Sequence, residues 1–240
     1  MIPVFEELDF QQTPFGEISL RKRSEPRLEH KIIYEVKLGD EFLMSSLFVE
    51  AEEQLSTLGL DALISNGFKT DLNVVVGGLG LGYTALKALQ SPTVSKLRVI
   101  DVMQPVISWH QDGILPIGDV LARDERCELV HDDFFAVACA ETKGFLDENP
   151  VHAVLLDIDH SPSHWLNESN QNFYSAESLQ KMAAKIIKGG VFGLWSNDLP
   201  DEKFIKHLES IFSNVGAHIV RFDNPYSGGE STNSVYIATT

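Results

Sequence analysis

The fold is decided by the stretch LNVVVGGLGLG at residues 72–82, in which an apolar run stops at a cluster of glycines. An apolar run of this length predicts a buried β-strand, and the helical pattern after the glycines predicts a strand-turn-helix unit. Glycines allow the chain to turn sharply there and allow a ligand to approach the backbone closely. Because Gly78-x-Gly80-x-Gly82 alone is equally compatible with an empty tight turn, the surrounding sequence has to decide.

Downstream of this unit, apolar runs alternate with helical patterns. The runs predict strands at residues 97–102, 127–131, 151–158 and 190–195, and the clearest helical patterns cover residues 176–187 and 202–212. Lys188-Gly189-Gly190 predicts the end of the first of these helices and the start of a strand. Two last strands, at 217–222 and 234–238, are joined by a turn with proline and glycine. We therefore predict an α/β fold with a mostly parallel sheet and a C-terminal antiparallel hairpin, which resembles the Rossmann-like methyltransferases.

The first 48 residues differ from the rest because they are β-rich. Residues 16–20, 32–36 and 41–44 predict strands, and Gly39-Asp40 predicts a hairpin turn between the last two. Residues 50–64 then predict a helix with leucines toward a core. The sequence thus predicts a small β-rich extension at 1–48 and a Rossmann-like domain at 49–240.

An acidic residue ends the second predicted strand of this domain. Asp101 lies 19 residues after Gly82, and Val102 follows it directly. A carboxylate at this spacing can accept hydrogen bonds from both hydroxyls of a ribose. The glycine loop and Asp101 together fit either a nicotinamide dinucleotide or an adenosylmethionine-type ligand.

The segment His131-Asp132-Asp133-Phe134 follows the third predicted strand and distinguishes these two ligands. In adenosyl-binding folds an acid at this strand end can receive the adenine amino group, whereas a dinucleotide offers it no comparable role. Asp132 or Asp133 can also cap the helix predicted at 134–140. Since there are two acids, both roles can coexist.

Asp157 and Asp159 lie at the carboxyl end of the fourth predicted strand, at the sheet edge where ligands of open α/β sheets bind. A carboxylate there can face the crevice and accept a proton from an amine, so Asp157 is predicted to be a catalytic base. Asp159 can hold a second ammonium group or raise the basicity of Asp157 by like-charge proximity. The alternative is that Asp157 only completes the strand-to-loop turn.

The connection that follows, residues 161–172, is long and has no period, which is typical of a lid or binding loop. His160 and His164 are residues of a type that binds metal ions, and they lie four apart, which would place them on one face of a helix. Pro162 argues against a helix there, so the spacing is not evidence for a metal site and no metal is predicted. Trp195, at the end of the fifth strand, begins a segment that either lines a substrate pocket or forms a turn.

The composition excludes some partners. A net charge of −16 argues against binding to duplex nucleic acid, because phosphate recognition needs a basic face. Cys127 and Cys139 are too few for a disulfide framework. The acidic N-terminus shows no signal peptide, and no stretch is long enough to span a membrane. A cytoplasmic protein without a membrane partner is the expectation.

The order of these motifs resembles that of the spermidine synthase family, the aminopropyltransferases, from about Tyr34 to the C-terminus. The matching features are, in chain order, the glycine loop at 78–82, Asp101, Asp132 with Asp133, Asp157, the Phe-Tyr pair at 173–174 and the turn at 224–228. The resemblance implies that S-adenosylmethionine or its decarboxylated form is bound as co-substrate by the glycine loop and by the acids after the second and third strands. It also implies aminopropyl transfer to a small amine or polyamine with Asp157 as base, and a homodimer is compatible with it.

Two departures from the family pattern keep other functions open. The family's glycine loop contains an aspartate, but here the intervening residues are Leu79 and Leu81. The family's Asp-Glu-Phe-x-Tyr-His-Glu segment is replaced by Phe48-Val-Glu-Ala-Glu-Glu53. The alternatives are methyl transfer from intact S-adenosylmethionine and a catalytically silent nucleotide- or polyamine-binding protein. A nicotinamide oxidoreductase is disfavoured by Asp132 and Asp157.

Overall fold

The computed structural model of the chain describes residues 3–240, which form two β-sheets and seven α-helices. The strands are β1 (Phe5–Thr13), β2 (Gly16–Glu25), β3 (Lys31–Leu38), β4 (Glu41–Ser45), β5 (Leu72–Gly77), β6 (Val94–Asp101), β7 (Cys127–His131), β8 (Val151–Leu156), β9 (Ile186–Ser196), β10 (Asn214–Asn224) and β11 (Gly229–Thr239). The helices are α1 (Glu50–Ser65), α2 (Tyr83–Leu89), α3 (Gln104–Gln111), α4 (Gly118–Arg123), α5 (Phe134–Cys139), α6 (Ala176–Ala183) and α7 (Glu202–Glu209).

The larger sheet has seven strands in the order β10-β11-β9-β8-β5-β6-β7. Strands β5 to β9 run parallel to one another. The last two strands form a hairpin that joins β9 in antiparallel orientation. The predicted α/β class, with a mostly parallel sheet and a C-terminal antiparallel hairpin, is therefore confirmed. The strand order reverses direction between β5 and β8, and ligands of open α/β sheets bind beside such a point.

The apolar run that opens the domain is buried on both faces of this sheet. Val74 and Val76 point to a core shared with α1 and α2, while Val75 points to a core shared with α5, α6 and α7. All three are fully buried. Burial on both faces explains why the three valines of β5 follow one another without alternating with polar residues.

The helix predicted at residues 176–187 is too long, because α6 ends at Ala183 and β9 begins at Ile186. Ile186 pairs with Val151 of β8. A β-branched side chain suits the pleated, half-buried surface of a strand. Pairing with β8 therefore outweighed the helical period of this segment.

The segment Lys188-Gly189-Gly190 is not the helix stop that the sequence predicted, since it lies inside β9. The register between β8 and β9 shifts opposite these residues, which is the mark of a bulge. Gly189 adopts a φ of +79°, and a Cβ on Gly190 would lie 2.6 Å from the carbonyl oxygen of His152. The glycines accommodate a bulged strand that passes close to its neighbour.

The N-terminal residues form a separate four-stranded antiparallel sheet in the order β1-β2-β3-β4. The turn predicted at Gly39-Asp40 joins β3 and β4. Strand β1 was not predicted, because most of its side chains are exposed and its sequence lacks an apolar alternation. Its pairing with β2 makes it a strand. Residues 1 and 2, which the predicted extension includes, lie outside the described residues.

Within residues 3–240, no helix combines the length and the apolar composition that a bilayer crossing requires.

Candidate active site

A cavity of about 850 Å³ lies at the carboxyl ends of the parallel strands. Loops after β5, β6 and β7 line one half, and the ends of β9, β10 and β11 line the other. The loop after β8 lies between the two halves, because β8 is the central strand of the sheet. The N-terminal sheet and residues 164–170 form the remaining walls. The cavity therefore lies at the point where the strand order reverses.

The glycine loop lines the first half through Gly78 and Gly80. Gly78 has a φ of +94°, and a Cβ there would collide with the backbone carbonyl of Asp157. A Cβ on Gly80 would collide with the side chain of Met44, whose sulfur accepts a hydrogen bond from the backbone N–H of Leu81 (3.0 Å). At Gly78 any other residue would push the loop away from the chain after β8, whereas at Gly80 it would displace the Met44 side chain and adopt an unfavourable positive φ.

Gly82 has a different position from the other two glycines. It is the N-cap of α2 with a φ of +89°, and it does not line the cavity. A Cβ at this position would lie 2.8 Å from Cε1 of His110, a fully buried side chain. Gly82 therefore sets the start of α2, and its predicted role in binding the cofactor stays a prediction.

Asp101 fixes the shape of the glycine loop as well as facing the cavity. Its carboxylate accepts hydrogen bonds from the backbone N–H of Leu79 (2.8 Å) and of Met103 (2.7 Å). Burial raises the pKa of Asp101, and these backbone N–H groups oppose the rise. Each carboxylate oxygen retains a free lone pair. Val102 follows at the cavity wall and is 36% exposed.

The two acids after β7 have separate places. Asp133 lines the cavity and caps α5, since its Oδ1 accepts from the backbone N–H of Phe135 (2.9 Å) and of Ala136 (3.3 Å). Asp132 is exposed, does not line the cavity, and accepts from the backbone N–H of Asp133 (2.8 Å). Phe134 also lines the cavity, beside Asp133. Of the pair, Asp133 is thus the acid that a ligand can reach.

Asp157 lies directly after β8, in the centre of the cavity edge. The hydroxyl of Thr84 donates a hydrogen bond to its Oδ2 (2.7 Å). Burial raises the pKa of Asp157 to about 6, although the Thr84 hydrogen bond opposes the rise. A carboxyl group with a pKa near the operating pH suits proton transfer.

A second carboxylate, Glu52 of α1, faces the same place. Burial and the negative charge of Asp157 raise its pKa well above its usual value. Two carboxylates that line the same cavity, with the charge of one raising the pKa of the other, resist double ionisation, so they tend to hold one proton between them. We call Glu52 and Asp157 the acid pair.

Glu52 belongs to none of the predicted motifs, although its position in α1 carries a signal. Buried residues of α1 include Leu55, Ser56 and Gly59, at spacings of three, four and seven from Glu52. Residues at these spacings share one face of a helix, so Glu52 lies on the inward face. An acidic residue on the buried face of a helix is unusual and indicates a functional role.

Asp159 is almost fully buried (1% exposed) and does not line the cavity. Its Oδ1 accepts from the backbone N–H of Leu166 and from the side-chain amide of Asn170, both at 2.8 Å. Its Oδ2 accepts from the hydroxyl of Tyr174 at 2.9 Å. Both oxygens thus hold the loop that forms one wall of the cavity. Asp159 therefore does not face the cavity beside the acid pair.

The charges along the cavity are almost all negative. The acids that line it are Glu52, Asp101, Asp133 and Asp157, and no lysine or arginine lines it within the described residues. His160 and His164 also line it, with ring centroids 4.9 Å apart, and Nε2 of His160 lies 2.7 Å from Oε1 of Glu41. Within residues 3–240, no three His, Cys, Asp or Glu side chains are placed to hold a metal ion.

Three spermidine synthases of known structure share this fold. One, in complex with the transition-state analogue AdoDATO, has a TM-score of 0.71 at 15% identity. The enzyme from Thermotoga maritima has a TM-score of 0.70 at 16% identity, and both alignments cover 97% of this chain and 72% of that chain. A probable spermidine synthase from Corynebacterium glutamicum has a TM-score of 0.64 at 15% identity, over 99% of this chain and 81% of that chain.

The fold also extends to a methyltransferase. Human methyltransferase-like protein 13 in complex with SAH has a TM-score of 0.57 at 14% identity, over 79% of this chain and 82% of that chain. No protein-family model matches the sequence. No curated protein matches it either. At these identities the comparisons establish the fold, which confirms the predicted resemblance at the level of architecture.

Proposed function

We propose that the protein transfers an aminopropyl group from decarboxylated S-adenosylmethionine to an amine. The observation that carries the proposal is the acid pair, Glu52 and Asp157, in a cavity whose described lining has no lysine or arginine. A spermidine synthase with this fold binds the transition-state analogue AdoDATO. The proposal assigns the nucleoside end to the half of the cavity lined by Gly78, Asp101 and Asp133.

The acid pair favours the decarboxylated donor over the intact one. The intact donor carries a carboxylate as well as an ammonium group, and that carboxylate would have to lie near two other carboxylates without a basic side chain to pair with it. Met44 also lies against Gly80, and its sulfur accepts the hydrogen bond of the Leu81 backbone N–H. The acid pair thus offers the donor's ammonium group a negative charge that Leu79 and Leu81 of the glycine loop cannot.

Asp157 is the base in this proposal, because β8 places it between the two halves of the cavity. An alkyl amine has a pKa near that of lysine, about 10.4, and is mostly protonated at neutral pH. Asp157 accepts its proton, and the free nitrogen attacks the carbon bonded to the sulfonium. A C–N bond forms as the C–S bond breaks, and the sulfur keeps the electron pair and leaves as neutral methylthioadenosine. Thr84 holds the carboxylate in place.

Methyl transfer from intact S-adenosylmethionine is the second candidate. The observation in its favour is the shared fold with human methyltransferase-like protein 13 in complex with SAH. The glycine loop without an acid would also suit a donor that carries its own carboxylate. The two activities release different nucleoside products, so one assay separates them.

The test incubates purified protein with either donor and a panel of primary amines, and mass spectrometry identifies the products. We expect methylthioadenosine and an amine enlarged by one aminopropyl group, with kcat/KM rising as the pH passes about 6, where Asp157 ionises. S-adenosylhomocysteine and a methylated amine would establish methyl transfer instead. Asp157→Asn is expected to lower turnover about 10²–10⁴-fold.

The matched control is Asp198→Asn, an isosteric change of an exposed acid that does not line the cavity. It should leave turnover unchanged. Near-normal turnover of a folded Asp157→Asn variant would show that Asp157 is not the base.

A further inference from the structure

The half of the cavity beyond Asp157 differs in charge from the half that would hold the nucleoside. Its walls come from β9, β10, β11 and the segment just before α1. We call this part the acceptor half, and the residues that define it are Phe48, Trp195, Asn197, Phe222, Thr232 and Asn233. None of these six is charged. Because it lies across β8 from the glycine loop, it is where a second substrate would meet the reacting carbon.

Nearby acids do not supply the missing charge. Asp223 and Glu230 are paired across the hairpin, and both are exposed. Phe222 and Asn224 flank Asp223 in β10 and line the cavity, so the two-residue period of a strand points Asp223 away from it. Glu41 lies against Nε2 of His160 at 2.7 Å. Within the described lining, the acid pair is therefore the only carboxylate group next to the acceptor half.

The acceptor half offers aromatic faces and neutral polar groups. Phe48 and Phe222 pack with ring centroids 5.5 Å apart. The side-chain amide of Asn233 donates to Oδ1 of Asn197 at 3.2 Å. The buried Nε1–H of Trp195 has no hydrogen-bond partner within residues 3–240, although a buried indole N–H normally finds one. An acceptor atom on a bound ligand would satisfy it.

A diamine or polyamine would place its distal ammonium group among these neutral side chains. Burying a charge without a counter-charge is costly, and only one acid pair is present for the reacting end. A flat, uncharged group would instead stack on the aromatic rings and accept the indole N–H. We infer that the acceptor is a monoamine whose other end is uncharged and aromatic, rather than a polyamine. This inference rests on the proposed function, since it names the acceptor class of the same site.

The first test compares two acceptors with decarboxylated S-adenosylmethionine and the purified full-length protein. The acceptors are 2-(4-hydroxyphenyl)ethylamine and 1,4-diaminobutane, and released methylthioadenosine reports transfer to either. We expect kcat/KM to be at least about tenfold higher for the aromatic monoamine, which corresponds to about 1.4 kcal/mol. An equal or higher value for the diamine overturns the inference and leaves the proposed function intact.

Release of no methylthioadenosine with either acceptor would overturn the proposed function. Calorimetry in the presence of methylthioadenosine then decides the inference separately. Tighter binding of the aromatic monoamine than of the diamine supports it. Tighter binding of the diamine, or binding of neither, overturns it.

The second test adds a charge to the acceptor half through Asn224→Asp. Oδ1 of Asn224 accepts from the backbone N–H of Tyr226 (2.9 Å) and of Ser227 (3.3 Å), and a carboxylate keeps both hydrogen bonds. The Nδ2 of Asn224 donates to the hydroxyl of Ser231 at 2.8 Å, and in the variant that hydroxyl can donate to the carboxylate instead. We expect the ratio of kcat/KM values to move toward the diamine by about tenfold. Ser227→Asp adds the same charge in the same turn, outside the cavity lining, and should leave the ratio unchanged. An unchanged ratio in Asn224→Asp would show that the acceptor's distal end does not bind there.

Discussion

Glu52 and Asp157 reach the same point of the cavity from different elements, α1 and the end of β8. Burial raises the pKa of both, and the charge of Asp157 raises that of Glu52 further. A carboxyl group whose pKa is raised on folding stabilises the folded state at low pH and loses that contribution as the pH rises through its folded pKa. The contribution of Asp157 to the free energy of unfolding is therefore lost above about pH 6, and such a loss is typical of functional sites.

At the residue scale, Glu52→Gln tests the role of the second acid. We expect affinity for the decarboxylated donor to fall by about tenfold or more, because a charged hydrogen bond contributes roughly 1.5–3 kcal/mol. Affinity for methylthioadenosine, which lacks the ammonium group, should not change. Calorimetry with both ligands measures the difference.

The same variant has an expected signature in stability. Because burial and the charge of Asp157 raise the pKa of Glu52, the ionised Glu52 carboxylate costs the folded state free energy as the pH rises, so Glu52→Gln should raise the free energy of unfolding more at pH 8 than at pH 4. Urea titrations at the two pH values measure this. A variant that weakens both ligands equally, or destabilises the protein at both pH values, would assign Glu52 a structural role only.

At the scale of elements, the loop between β8 and α6 is held by one buried carboxylate. Asp159 ties together Leu166, Asn170 and Tyr174, and the resulting segment supplies Leu166, Asn170 and neighbouring residues to the cavity wall. Burial raises the pKa of Asp159, while its three hydrogen bonds oppose the rise. The predicted lid is thus an ordered wall with an internal anchor, and Asp159 acts by positioning it.

Tyr174→Phe is expected to weaken this anchor. It removes the O–H that donates to Asp159 Oδ2 and leaves a buried carboxylate oxygen without that partner, which costs on the order of 1–3 kcal/mol. We expect a lower free energy of unfolding and a higher KM for the acceptor, measured by urea titration and by the transfer assay. Tyr34→Phe, in β3 and outside this network, serves as the control. An unchanged KM would mean that the wall keeps its shape without the anchor.

At the scale of the whole molecule, an ionic cluster joins the N-terminal sheet to the C-terminal hairpin. Arg23 of β2 contacts Glu25 and Glu35, each at 2.7 Å, and donates to the hydroxyl of Tyr226 at 2.7 Å. Tyr226 in turn donates to Glu25 at 2.9 Å and packs edge-on against Phe48.

Arg23→Met is expected to lower Tm by several degrees, because it leaves two largely covered carboxylates facing each other without a cation. The control is Arg21→Met on the same strand, whose partner Glu7 is more exposed, and it should change Tm little. Thermal unfolding followed by circular dichroism measures both. Equal effects of the two variants would show that the cluster does not couple the two sheets.

The sequence by itself determined the architecture, because its strongest signals are local. The apolar run at 72–76 is buried on both faces of the sheet, and Gly78 and Gly80 have positive φ values where the chain passes β8 and Met44. Burial and positive φ are expressed in the identity of single residues and of their immediate neighbours, so they can be predicted from the sequence. Asp101 and Asp157 follow from the same logic, since the ends of parallel strands meet at one edge.

Only the tertiary structure decided which polar residues face the cavity. Asp132 and Asp133 are adjacent in sequence and both are exposed, yet only Asp133 lines the cavity. Glu52 joins Asp157 across more than a hundred residues, and Asp159 is turned inward to hold a loop. These outcomes depend on packing between distant elements, which sets the burial, the pKa and the partners of each group. Pairing with β8 likewise placed Ile186 in β9 rather than in a helix. The hydrophobic pattern of a segment does not show which distant strand it will pair with.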